Sequence, residues 1–248
     1  MKRNTILDII ALSQTRKLRM LTSYTANIAR IADKIADAIL VGDSLAMVLY
    51  NMPSTHNVTL EMMISHGKSV VSASSKALVI VDMPFGSYEI SPEQAFESAS
   101  KVIAQTGASA VKLEGGVEMA ETIDFLHHRG IPVVGHVGLM PQKIHTIGSY
   151  KKISCNEKIM QDFEAVYNAG AFAIVLENVA DDISNEIAEK FPDTITIGIG
   201  AGANCKGHIA VFEDLINLST ESVPHFSKPI FDVKAQITHL LEEHFQTL

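Results

Sequence analysis

The sequence predicts an α/β protein of the (β/α)8, or TIM, barrel type, a single domain over residues 1–248. Three observations predict it. Short runs rich in Val and Ile recur along the chain and most close on a glycine or a polar residue. Segments with helical spacing lie between them. The runs number eight, which favours a closed barrel over the other arrangement that strand–helix alternation allows, an open doubly wound sheet.

The runs are "LRMLTSYT" (18–25), "AILVGDS" (38–44), "LVIVDMPF" (78–85), "AVKLEGG" (110–116), "IPVVGHVGL" (131–139), "FAIVLENV" (172–179), "TITIGIGAG" (194–202) and a weaker one near "HIAVFED" (208–214). Near-continuous apolar strands are what a parallel sheet buried on both faces requires. The helix after the third run is the best marked. Ser91 stands at its N-cap, Pro92 at its first position and Gln94 three residues after the cap, and Gly107 is its stop signal. Two further helical segments end at Gly130 and Gly170. The longest non-periodic stretch, 140–157 after the fifth run, is long enough to be a functional lid or a disordered connection.

Composition sets the class. Of 248 residues 47% are hydrophobic, enough for one sizeable core, and no run approaches the ~20 apolar residues of a membrane span. The N-terminus is basic but its apolar run is short and broken by Asp8, without a clear signal-peptide cleavage site. A formal net charge of -8 disfavours non-specific binding to nucleic acid or to an anionic membrane. Cys155 and Cys205 form no paired framework, so a reduced, cytoplasmic protein is expected.

Polar residues collect at the ends of the apolar runs: Asp43 and Ser44, Asp82, Lys112 and Glu114, His136, and Glu177. In a parallel barrel those ends converge on the face where active sites are built. Lys112 and Glu114, two apart on a strand, point to the same side. Carboxylates gathered at one mouth repel one another, and a divalent cation offsets them better than Lys112 alone. Oxygen donors suit Mg²⁺, which takes one or two protein carboxylates and keeps several waters, and Asp43 with Asp82 is the natural pair. Each residue also has a plain structural explanation. Asp43 or Ser44 could cap a helix, Asp82 could sit in a turn, Lys112 and Glu114 could be a satisfied ion pair, and His136 could be a core histidine. Their coincidence on one rim is what favours a site.

Other motifs exclude more than they offer. "GIGAG" (198–202) lacks the G-x-G-x-x-G form of a dinucleotide site, though it could approach a phosphate or carboxylate. There is no P-loop, no H-E-x-x-H and no zinc-type cluster. Gly42-Asp43-Ser44-Leu45 could be read as the block of a serine esterase, but such a serine needs a histidine base and an acid. The only tempting match, Asp124-Phe-Leu-His127, lies mid-chain on an expected helix away from the strand ends.

Seven stretches, "LVGDSLAMV", "STHNVTLEMMISH", "VDMPFGSY", "VKLEGG", "GIPVVGHVGLMPQ", "GAFAIVLE" and "IGIGAG", together and in this order resemble the ketopantoate hydroxymethyltransferases, a family of the phosphoenolpyruvate mutase/isocitrate lyase superfamily. The resemblance runs from about Met20 to Leu218. It implies a (β/α)8 barrel that transfers a one-carbon unit from 5,10-methylenetetrahydrofolate to 2-oxoisovalerate with Mg²⁺, giving ketopantoate for pantothenate biosynthesis. It further implies Asp43, Asp82 and Glu114 at the metal, Glu114 acting through water. Asp43 and Asp82 also fall at the substrate, with Ser44 and Lys112 on the oxo acid's oxygens and His136 in its pocket. Glu177 is implied as the general base. The partners it implies are small molecules, and the assembly a homo-oligomer, a decamer in the family. The chain departs from the family pattern at Ser23-Tyr24-Thr25, Ala46, Asn178 and in the 140–157 and 203–208 stretches, none of which touches the implied metal and base set. Rival readings are another Mg²⁺-dependent oxo-acid lyase or mutase of the superfamily, and a barrel that has lost catalysis.

Overall fold

The computed structural model describes residues 2–148, 156–219 and 224–248, so Cys155 and the 149–155 part of the 140–157 stretch lie outside the described residues. Eight parallel strands close into a barrel in sequence order. They are β1 (Leu18–Thr22), β2 (Ala38–Val41), β3 (Leu78–Asp82), β4 (Ala110–Glu114), β5 (Val133–Gly138), β6 (Ala173–Glu177), β7 (Ile195–Ile199) and β8 (Gly207–Ala210). The closing pair, β8 with β1, has Ile209 opposite Met20. The barrel that the run count favours is therefore the one formed, and the open sheet is excluded.

Alternation along each strand divides the apolar residues between two cores. Ile39, Val41, Val79, Val81, Val111, Leu113, Ile174 and Leu176 face outward into the layer beneath the helices. Leu40, Leu78, Ile80, Ala110, Val134, Ala173, Val175 and Ile197 fill the barrel interior. Continued at period two, the interior series reaches Asp82 after Ile80, Lys112 and Glu114 after Ala110, His136 after Val134, and Glu177 after Val175. The barrel lumen thus changes from apolar to charged toward the carboxyl ends of its strands.

The helix Pro92–Thr106 starts as expected, with Ser91 Oγ accepting from the Gln94 N–H. Gln94 differs from the expected reciprocal cap. Its Oε1 accepts from Ile90 N rather than from Ser91 N, and its amide reaches Gly86 O. Gly107, Gly130 and Gly170 all take positive φ, the left-handed stop that only glycine adopts without strain. The stretch after β5 is less loop-like than its sequence implies. Pro141–Lys143 form a 3₁₀ turn that leads into a short helix, Ile144–Ile147. At the other end of the chain, no residue of the helix Val233–Gln246 is buried. Among the described residues no helix is long and apolar enough to cross a membrane.

Entry into β3 is fixed by one carboxylate. Asp33, at the end of the helix Ala26–Ala32, accepts hydrogen bonds from the N–H groups of Ser75, Lys76 and Ala77 and from Ser75 Oγ. Burial pushes its pKa up, but these donors outweigh burial and hold it below the usual 3.8. Asp33→Ala should cost about 1–3 kcal/mol in urea unfolding at neutral pH, because the buried Ala77 N–H and the part-buried Ser75 and Lys76 N–H groups lose their acceptor. Since the folded pKa is lowered, that stabilisation is present above the unfolded value and lost as pH falls through the folded one. The gap between wild type and variant should therefore narrow in acid.

Candidate active site

The charged end of the lumen opens into a cavity of about 460 Å³. Asp43, Ser44, Asp82, Lys112, Glu114, His136 and Glu177, the seven residues singled out from sequence, all line it. Strand register makes the pairs. Asp82 lies beside Lys112 across β3 and β4, and Glu114 lies beside His136 across β4 and β5.

Lys112 is buried with Nζ 3.2 Å from Asp82 Oδ1 and 3.9 Å from Glu114 Oε1. Burial alone would lower its pKa, but Asp82, Glu114 and Asp43 outweigh it and raise the pKa, so the ammonium keeps its proton. His136 bridges two carboxylates, with Nδ1 3.3 Å from Glu114 Oε1 and Nε2 3.3 Å from Glu177 Oε2. Burial and Lys112 push the imidazole down. The Glu114 and Glu177 carboxylates more than offset this, and its pKa is pushed up to about 9. Glu114 is held low because His136 and Lys112 outweigh its burial, and its Oε2 accepts from the Gln142 N–H at 3.0 Å.

Asp43 and Asp82 differ from Glu114. Asp82 Oδ2 accepts from Asp43 N at 3.0 Å, while Asp82 Oδ1 is buried and makes no hydrogen bond, only the ion pair with Lys112. Asp43 Oδ2 accepts from Gln142 Nε2 at 2.8 Å. Burial, then the neighbouring Asp82 and Glu114 charges, push the Asp43 carboxyl well above the carboxylate range. Four carboxylates thus face two cations, Lys112 and His136. A divalent cation matches that deficit. The donor set fits Mg²⁺ with Asp43 and the orphaned Asp82 oxygen as ligands. Among the described residues no three His, Cys, Asp or Glu side chains converge at metal spacing. Glu114, engaged by Lys112, His136 and Gln142, stands behind the other two.

Two glycines permit this packing. A Cβ at Gly42 would lie 2.8 Å from Ser44 Oγ and 3.5 Å from Asp82 Oδ2. Gly138 ends β5 at φ +96°, and a Cβ there would lie 2.4 Å from the Glu177 carbonyl oxygen, so any side chain would displace the strand end that carries Glu177.

Ser44 is not a nucleophile of the esterase kind. Its Oγ pairs with Tyr24 OH at 2.9 Å, and Asp124 and His127 are exposed on the helix Ala120–His128. Among the described residues no histidine bonds to Ser44 Oγ.

Sequence reasoning missed several residues of the cavity. Asp214, Ser219, His225 and Phe226 line it, while Gln142 and Tyr88 are buried beside the lining, Gln142 bonded to Asp43 and Glu114 and Tyr88 to Gln142. Gln142 lies four residues beyond the end of β5, a neutral side chain outside any strand. Asp214 is the last residue of the weak eighth run, whereas Ser219, His225 and Phe226 lie beyond it, where no motif marks them.

The model of the family described as ketopantoate hydroxymethyltransferase matches residues 3–247. The 3-methyl-2-oxobutanoate hydroxymethyltransferase of Bordetella petrii is 50% identical over 234 residues, covering 93% of this chain and 85% of that protein. The enzyme of that name from Sinorhizobium fredii is 47% identical over 241 residues, covering 96% and 88%. Among solved structures the fold is similar to that of phosphoenolpyruvate phosphomutase from Streptomyces platensis subsp. rosaceus, with TM-score 0.66 at 14% identity and coverage of 98% and 87%. It is also similar to a phosphonopyruvate hydrolase solved with oxalate and Mg²⁺, with TM-score 0.62 at 13% identity and 98% coverage of each chain.

Proposed function

The chain belongs to the ketopantoate hydroxymethyltransferase family and is an enzyme of that kind, and from this premise we propose how its cavity makes ketopantoate. It takes 2-oxoisovalerate as acceptor and 5,10-methylenetetrahydrofolate as one-carbon donor. The observation that carries the reading is the placement of Glu177. It lines the same cavity as the Asp43–Asp82–Lys112 group, paired among the described residues only with His136 and with its side chain 16% exposed.

The residues divide the work by charge. Lys112, kept as an ammonium, holds oxygens of the oxo acid, and Ser44, fixed by Tyr24, donates to its carboxylate. Asp43 and Asp82 would hold Mg²⁺, with Glu114 reaching it through water. When bound, Mg²⁺ supplies Lewis-acid stabilisation of the oxygen that gains charge as the neighbouring carbon is deprotonated. Glu177 removes that proton, and the resulting carbanion equivalent forms a C–C bond to the donor's methylene carbon as one of its C–N bonds breaks. Water replaces the second C–N bond with C–OH, and tetrahydrofolate leaves carrying the abstracted proton and one from water. His136, charged between two carboxylates, fixes the Glu177 carboxylate on one side and Glu114 on the other. The phosphonopyruvate hydrolase of similar fold was solved with oxalate and Mg²⁺, which supports a carboxylate ligand together with that ion in a barrel of this shape. The cavity also exceeds what a five-carbon oxo acid fills, which leaves room for a second substrate.

The test is product formation from 2-oxoisovalerate with each component withheld in turn. Ketopantoate that requires both Mg²⁺ and methylenetetrahydrofolate supports the assignment. Oxo-acid cleavage or rearrangement without folate would replace it with superfamily lyase or mutase chemistry.

A further inference from the structure

Gln142 spends every polar atom it has on the mouth of the barrel. Its amide Nε2 donates to Asp43 Oδ2 at 2.8 Å and to the Met83 carbonyl at 3.0 Å. Its Oε1 accepts from Tyr88 OH at 2.6 Å. Its backbone N–H donates to Glu114 Oε2 at 3.0 Å, and its carbonyl pairs with His56 Nε2 at 2.6 Å. A carbonyl can only accept, so Met83 fixes which end of the amide is NH₂, and the Tyr88 hydroxyl completes the other end. Tyr88 is itself anchored, accepting from the Glu114 N–H at 3.2 Å.

One neutral residue therefore holds two carboxylates, from β4 and from the end of β2, that would otherwise push apart. Asp43 Oδ2 is occupied by the amide, which leaves Oδ1, without a hydrogen bond among the described residues, as the oxygen free to bind a cation. Glu114 is likewise held from behind. An amide suits this place where a charged donor would not. It supplies two N–H bonds without adding a third cation to Lys112 and His136, so the charge deficit that favours a divalent ion is preserved.

We propose that Gln142, with Tyr88 behind it, is the positioning residue of the metal site, and that it ties the segment following β5 to the acidic mouth. This rests on the reading of Asp43 and Asp82 as metal ligands.

The test is Mn²⁺ binding to the full chain, without oxo acid or folate, followed by electron paramagnetic resonance, with Asp82→Asn as the blank. Gln142→Met keeps the volume and the backbone bonds to Glu114 and His56 but removes the side-chain bonds to Asp43, Met83 and Tyr88. It should weaken Mn²⁺ binding about 10–100-fold, the usual cost of losing a group that orients a metal ligand. Tyr88→Phe keeps the amide but releases its orientation, and should weaken binding by a smaller factor in the same direction. Melting temperatures close to wild type would separate positioning from a general packing defect. Mn²⁺ affinity within twofold of wild type in both variants would overturn the proposal. If Gln142→Met does not fold, Tyr88→Phe decides alone: weaker binding supports the proposal and wild-type binding overturns it. A wild-type chain that binds no Mn²⁺ would remove the metal reading and this proposal with it, a result distinct from variants that bind as well as wild type.

Discussion

Glu177→Gln should abolish exchange of the β-carbon proton of 2-oxoisovalerate in D₂O with Mg²⁺, while the variant still binds the oxo acid. Glutamine keeps the shape and can still contact His136 Nε2, which stands 3.3 Å from the carboxylate. What it lacks is a basic oxygen. Loss of a positioned general base typically costs about 10²–10⁴ in rate, so turnover should fall by that factor with KM for the oxo acid changed only a few-fold. Proton NMR without folate isolates the step, because exchange needs only enolisation. Exchange at a near-wild-type rate in Glu177→Gln would move the base elsewhere in the cavity. His136 is a poor alternative, because its two carboxylate partners hold it protonated at neutral pH.

Asp82→Asn should separate metal binding from folding. Asparagine can still accept from Asp43 N, which now bonds Asp82 Oδ2 at 3.0 Å, but it removes the oxygen that faces Lys112 at 3.2 Å. Without added metal the expected change in melting temperature is a few degrees at most. One like charge beside Asp43 and Glu114 disappears, which offsets part of the lost attraction to Lys112. The wild-type chain should gain stability as Mg²⁺ is added, by RT ln(1 + [L]/Kd), or about 2.7 kcal/mol at a hundredfold excess over Kd. The variant should gain none over the same range, and turnover should be lost with it. An Asp82→Asn chain that is stabilised by Mg²⁺ as strongly as wild type would show that the ion binds elsewhere.

Much of the fold was legible because its cause is local. Hydrophobic runs such as Ala38–Val41 and Leu78–Asp82 are buried on both faces, and that requirement writes itself into sequence as near-continuous Val, Ile and Leu. Ser91, Pro92 and Gly107 bound a helix by backbone chemistry that needs no distant partner. The seven rim residues were legible for a related reason. Each is the polar end of an apolar strand, and a parallel barrel brings all such ends to one face.

Charge state and contact were decided by tertiary structure. That His136 lies between Glu114 and Glu177, that Asp82 keeps one buried oxygen without a hydrogen bond, and that Ser44 answers to Tyr24 depend on register between strands and on helix placement. Gln142 shows the limit most clearly. Nothing in Met140-Pro141-Gln142 announces a residue that holds Asp43, 99 positions away, and Glu114, 28 away. A strand-end carboxylate is conspicuous because an apolar neighbourhood makes charge costly. A neutral amide costs little in sequence, and its role exists only once two distant carboxylates are folded against it.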